Sequence, residues 1–198
     1  MAAAGTILCT GGIGSGKSCV VKALSALGVP SFDTDRCAKT LYEKDGKLLG
    51  RVADAVGSDV IVDGHLDRKA LASKIFSDSG ALEKVEAIVH PAVIREFGRW
   101  KAGCGADVVV IESAVMLQKT ALRDIPDYVL YVTAPRDVRV GRVMARDGLS
   151  REAVLKRMEC QEDLSARADF VIETDDRQMI LPALIDIIEK LKNGKDRS

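Results

Sequence analysis

The chain has 198 residues, 47% hydrophobic and 29% charged, which excludes a wholly disordered protein. Its 29 basic and 29 acidic residues cancel, which excludes a general nucleic-acid or acidic-membrane binder and makes any anion site local. Five scattered cysteines without a C-x-x-C pair fit a reduced compartment, and two histidines leave little material for a zinc site. The start, MAAAGTILCT, has neither a basic opening nor an apolar stretch. The mid-chain aliphatic run Val108 to Ile111 is far too short to cross a bilayer. The expectation is a soluble, cytoplasmic protein without a nucleic-acid or membrane partner; nothing in the sequence sets an oligomeric state.

Thr6 to Thr10 predicts a strand entering a glycine-rich turn. Ser18 to Leu27 predicts a helix, apolar at Val20, Val21, Ala23, Leu24 and Leu27 and stopped by Gly28. Pro30 to Phe32 predicts a short strand. From Asp35 to Gly103 the patterns are helical: Arg36 to Glu43, Lys47 to Val56, Leu66 to Phe76, and Ala81 to Trp100 with a break at Pro91. The core resumes with the β-branched run Val108 to Ile111, as in a strand buried on both faces of a parallel sheet. Tyr128 to Val132 is the next strand, followed by helices over Asp137 to Arg146 and Arg151 to Leu164, the second capped by Ser150. Phe170 to Ile172 is a last strand and Ile180 to Leu191 a closing helix. The alternation predicts an α/β fold with a parallel sheet and right-handed crossovers, and the segment from Asp35 to Gly103 reads as a helical insertion on that core.

Residues 11–18 read GGIGSGKS, the G-x-x-x-x-G-K-[ST] pattern, between a strand and a helix. Gly11, Gly12, Ile13, Gly14, Ser15 and Gly16 let successive backbone N–H groups turn toward phosphate oxygens, and the helix start adds its positive dipole end. Lys17 supplies a mobile charge and Ser18 a hydroxyl for Mg²⁺, so a nucleotide with Mg²⁺ is the expected ligand, the loop alone not separating kinases from GTPases or ATPase motors. No N-K-x-D guanine motif follows, and little chain is left for the further domains of a motor. The next strand ends in Asp33-Thr34-Asp35, two carboxylates that suit a base and a metal-side ligand.

Across most of its length the sequence resembles the dephospho-CoA kinases. The resemblance rests on TGGIGSGKS (Thr10 to Ser18), FDTD (Phe32 to Asp35), DGHLDRKAL (Asp63 to Leu71) with Phe76, His90-Pro91, and ESAVML (Glu112 to Leu117). Arg142, Arg146, Arg157, Gln161, Arg167 and ADFVI (Ala168 to Ile172) complete it. With the phosphate loop, it implies a three-layer P-loop kinase fold: a parallel sheet of about five strands in a nucleotide-binding core over 1–34 and 105–192, a helical substrate lobe over about 35–104 and a short lid over about 139–160. It implies phosphorylation of the ribose 3′-hydroxyl of dephospho-CoA by ATP, giving CoA and ADP. It also implies that Asp35 acts on that hydroxyl, that Asp33 supports it or holds Mg²⁺ through water, and that Asp33, His90, Glu112, Arg157 and Gln161 contribute to the substrate site. Three positions depart from the family pattern: Cys19 where Thr is common, Gln118 where Glu is common, and Glu173-Thr174-Asp175 where Asn often follows the last strand.

Each residue also has a plainer reading. Asp35 suits an N-cap as well as a base. Glu112, ending a buried strand, suits either Mg²⁺ or a substrate group, or an arginine ion pair. Arg139, Arg142 and Arg146 share a helix face by spacing. That face is either solvated or a lid that neutralises charge on the moving phosphoryl group. On the lid reading Arg142 and Arg146 are catalytic and Arg139 is neutral. His90 suits packing as well as ligand contact, and Asp67-Arg68 suits an ion pair. Cys9 and Cys19 flank the loop as packing residues.

Overall fold

Runs of β-branched and aliphatic residues build the sheet around which the chain is arranged. The structure is a computed structural model and describes residues 5–119, 122, 124–175 and 179–194. Strands β1 (Gly5–Thr10), β2 (Ser31–Asp33), β5 (Val108–Glu112), β6 (Tyr128–Thr133) and β7 (Phe170–Glu173) form a parallel five-stranded sheet in the order β2-β5-β1-β6-β7. All six residues of β1 are buried, as are Val108 to Ile111 of β5, which is why β5 reads as a continuous β-branched run and β1 keeps Ile7, Leu8 and Cys9 between two buried threonines. The flanking helices of this part are α1 (Lys17–Ala26), α6 (Arg136–Asp147), α7 (Arg151–Glu159) and α8 (Leu181–Gly194). One core gathers Ile7, Val20, Leu24, Val110, Leu130, Ile172, Leu184 and Ile188 from strands and helices alike.

The chain divides into two compact units: residues up to 32 with those from 104 on, and residues 33–103. The second unit carries α2 (Thr34–Lys44), α3 (Gly46–Val56), α4 (Arg68–Ser77) and most of α5 (Ser79–Cys104). It also carries a two-stranded antiparallel hairpin, β3 (Ile61–Val62) and β4 (His65–Leu66), that the helical reading of this segment missed. Its turn is Asp63-Gly64, both at positive φ (52° and 79°), the conformation a tight hairpin requires.

Two further differences have clear causes. The helix predicted to break at Pro91 runs through it as a single 26-residue α5. Burial of Val85, Val89, Ala92, Val93 and Phe97 on both sides of Pro91 outweighs an interior proline cost of about 3 kcal/mol. Helix α7 ends at Glu159, not Leu164. The Asp163 carboxylate accepts the Ser165 N–H at 2.9 Å and starts a separate 3₁₀ turn over Ser165–Arg167, which leaves Gln161 outside the helix.

Candidate functional site

Strand register brings the site together in the first unit. Cys9 of β1 lies opposite Glu112 of β5, and Thr10 lies opposite Tyr131 of β6, so the glycine-rich loop leaves the sheet between these neighbours. Gly16 sits at φ 88° as the N-cap of α1, with no side chain bonded at that cap. A side chain at Gly16 would be strained, and its Cβ would stand 2.6 Å from Thr174 Oγ1. A Cβ on Gly12 would strike the Arg139 guanidinium.

Lys17 Nζ donates to the carbonyls of Gly11 (2.6 Å) and Gly12 (3.1 Å), which holds the ammonium against the loop. Burial lowers its pKa below the ordinary lysine value; Glu112 opposes that shift, while Arg139 and Arg146 add to it. Ser18 Oγ donates to Glu112 Oε1 at 3.3 Å. A hydroxyl and a carboxylate are both hard oxygen donors and fit Mg²⁺. Among the described residues no group of three or more His, Cys, Asp or Glu gathers as a metal cage. Ser15 Oγ is buried with no hydrogen-bond partner among the described residues. Burial, and next the Glu112 carboxylate, push the Cys9 thiol up to about 12, so Cys9 is a neutral packing group.

Helices α6 and α7, with Gln161 just beyond α7, pack on the loop chiefly at Ile13. Ile13 packs with Val140, Val143 and Val154. Its N–H donates to Gln161 Oε1 at 2.7 Å, and its carbonyl accepts from Arg139 Nε at 3.0 Å. Arg139, read as neutral from the sequence, is therefore bonded to the loop backbone. Arg142 Nη1 donates to Thr174 Oγ1 at 2.8 Å and lies 3.5 Å from the Gly14 carbonyl oxygen. Thr174 Oγ1 in turn donates to the Ser15 carbonyl at 2.6 Å. Arg146 forms a bidentate pair with Asp147 (2.7 and 3.0 Å), and Arg157 Nη1 approaches the same carboxylate at 3.8 Å. The structure thus joins Gly11 to Ser18, Glu112, Arg142, Arg146, Arg157 and Gln161 in one unit. Arg139 and Thr174 join them with no local motif to mark either. A cleft of about 230 Å³ opens beside Gly11 and Gly12, lined also by Gln118, Tyr131, Cys160 and Gln161.

The remaining sequence-derived residues lie in the second unit. Asp33, not Asp35, caps α2: its carboxylate accepts the Arg36 N–H at 2.9 Å. Asp35 is exposed in the first turn of α2, so the two carboxylates do not share one strand face. His90 is half-buried on α5. Asp67 caps α4 through Lys69 N and Ala70 N, and Arg68 pairs with Glu43 at 3.1 Å, not with Asp67.

A family model described as "CoaE: Dephospho-CoA kinase" matches residues 6–179. The dephospho-CoA kinase of Porphyromonas gingivalis is 38% identical over 194 residues, covering 96% of each chain. That of Thermus thermophilus is 38% identical over 189 residues, covering 93% of this chain and 91% of the relative. A crystal structure from Thermus thermophilus superposes with a TM-score of 0.84 at 36% identity, covering 96% of this chain and 99% of the other. A dephospho-CoA kinase from Campylobacter jejuni shares the fold, with a TM-score of 0.67, 22% identity and coverage of 96% and 98%.

Proposed function

The chain belongs to the dephospho-CoA kinase family, and from that premise we propose how its own residues carry the reaction. It phosphorylates dephospho-CoA to CoA with ATP as donor. The observation that carries the residue-level reading is the loop itself. Its N-terminal arm is gripped at Ile13, and its C-terminal arm presents Ser18 beside Glu112.

In this reading the loop backbone and Lys17 hold the triphosphate, with Lys17 exchanging its two loop carbonyls for phosphate oxygens. Ser18 and Glu112 would hold Mg²⁺, with Asp33 supporting on the metal side, and the cation would draw charge from the phosphate oxygens. Asp35 accepts the proton of the ribose 3′-hydroxyl as that oxygen attacks the γ-phosphorus. Arg146 lies close enough to Lys17 to affect its ionisation and neutralises charge on the transferred group. Arg142 reaches the loop through Thr174. His90, Arg157 and Gln161 contribute to substrate placement, with α6 and α7 as the lid. Most of the rate enhancement is positioning and electrostatics. Five free cysteines suit a reducing cytoplasm. Among the described residues no helix is long and apolar enough to cross a membrane.

An ADP-release assay over a panel of acceptors tests this reading. Dephospho-CoA is expected to turn over far faster than AMP, UMP, shikimate or gluconate, because contacts to its remote arm help to position the hydroxyl. Removing Mg²⁺ with a chelator is expected to abolish turnover. Equal rates on AMP and dephospho-CoA would contradict the acceptor assignment.

A further inference from the structure

A phosphate loop works only if its peptide N–H groups face inward, and a trans peptide then turns the preceding carbonyl outward. The described residues contain no cis peptide, so wherever an outward carbonyl is held, the next N–H is aimed the opposite way. Three loop carbonyls accept from long-range side chains: Arg139 holds that of Ile13, Arg142 reaches that of Gly14 at 3.5 Å, and Thr174 holds that of Ser15 at 2.6 Å. The last of these bonds joins residues 159 apart in sequence. Thr174 is only 5% exposed, and its own N–H donates to the Thr133 carbonyl at 2.8 Å, which extends the β6–β7 ladder by one rung. Its hydroxyl is thus fixed from the backbone side by the sheet. Arg142 Nη1 donates to that oxygen at 2.8 Å, which commits the hydroxyl proton to Ser15.

We propose that Thr174 is a positioning residue for nucleotide binding: its hydroxyl, oriented by Arg142, locks the Ser15–Gly16 peptide so that the Gly16 N–H faces the phosphates. The proposal rests on the reading of residues 11–18 as the phosphate loop. It gives Thr174, one of the departures from the family pattern, a task in this chain. It also places Arg142 behind the loop, acting through Thr174 and not on the transferred phosphoryl group. Gly16 is part of the same device. At φ 88° it accepts the peptide orientation that Thr174 imposes, and any Cβ there would meet the Thr174 hydroxyl.

The test is ADP affinity by calorimetric titration, with steady-state kinetics, for Thr174→Val, Thr174→Ser, Arg142→Met and the Thr174→Val/Arg142→Met pair. Valine keeps the shape and removes the hydroxyl, leaving a buried carbonyl without its donor. ADP affinity is expected to fall about 5- to 30-fold and the KM for ATP to rise in step. The KM for dephospho-CoA and kcat should stay within about threefold. Serine restores the hydroxyl and is expected within about threefold of the native affinity. Arg142→Met should weaken ADP in the same sense, and the double variant should be no weaker than the worse single one, since both act on one bond. The Thr174→Ser and Arg142→Met arms decide the matter even if the valine variant does not fold. ADP affinity unchanged in Thr174→Val would overturn the proposal alone. So would an Arg142→Met enzyme with native ADP affinity and a kcat lowered 100-fold. A native enzyme that bound no ADP would overturn the reading of the loop and this proposal together.

Discussion

The two units spend their polar side chains differently. In the first, long-range side chains converge on one short segment: Gln161 and Arg139 on the Ile13 backbone, Thr174 on the Ser15 carbonyl, Glu112 on the Ser18 hydroxyl. In the second, carboxylates hold helix starts a few residues away: Asp33 on Arg36, Asp45 on Leu48, Asp67 on Lys69 and Ala70. The first pattern fixes a binding surface; the second fixes local structure. An acidic residue in a helical unit is therefore a poor guide to chemistry unless it is spared from capping. Asp35 meets that condition because Asp33 takes the cap.

The sharpest way to break this comparison is Asp35→Asn. Asp33 still caps α2, so thermal stability should hold while kcat falls roughly 10²- to 10⁴-fold, the range for loss of a general base. A normal kcat with a dead Asp33→Asn enzyme would exchange the two roles. Arg146→Ala comes next. Its pair with Asp147 is exposed, so stability should change by less than about 0.5 kcal/mol. A kcat drop of about 10²-fold is expected from loss of a preorganised charge. A normal kcat would leave Arg146 as a partner of Asp147 only.

The capping side of the comparison predicts smaller effects of the opposite kind. Asp45→Ala and Asp67→Ala should each cost about 1 kcal/mol, read as a lower Tm, with kcat and both KM values within twofold. Asp67 is the more telling of the two because it lies in the DGHLDRKAL segment on which the family resemblance rests. A kinetic defect there without loss of Tm would give it a role beyond capping. The smallest effect concerns thiols. With its pKa pushed up to about 12, Cys9 stays protonated at neutral pH and should resist alkylation, while exposed Cys19 and Cys160 react. Mass spectrometry after brief iodoacetamide treatment reads this, and rapid labelling of Cys9 would show that the loop base opens.

What the sequence revealed follows the same division. β5 and β6 were legible because burial on both faces leaves apolar runs, β1 because its short apolar stretch leads into a glycine-rich turn, and the loop because its chemistry is local in sequence. The β3–β4 hairpin was hidden by its size, two residues a strand, although Asp63-Gly64 was the available signal. Pro91 misled because local steric preference lost to the packing of α5. Arg139 stands 126 residues from the carbonyl it holds. Helical spacing placed it on a face with Arg142 and Arg146 without saying which of the three touches the loop. Thr174 was noticed only as a departure from a pattern, since no spacing rule links it to Ser15.

The central claim is that residues 11–18 carry ATP turnover on dephospho-CoA, and Lys17→Ala tests it most directly. Among the described residues Lys17 Nζ donates to two carbonyls of its own loop, so the fold should survive its loss. ADP formation with saturating dephospho-CoA is expected to fall roughly 10²- to 10³-fold at unchanged Tm, as when a preorganised charge is removed from a transferring group. A folded Lys17→Ala enzyme that releases ADP at the native rate would contradict the account.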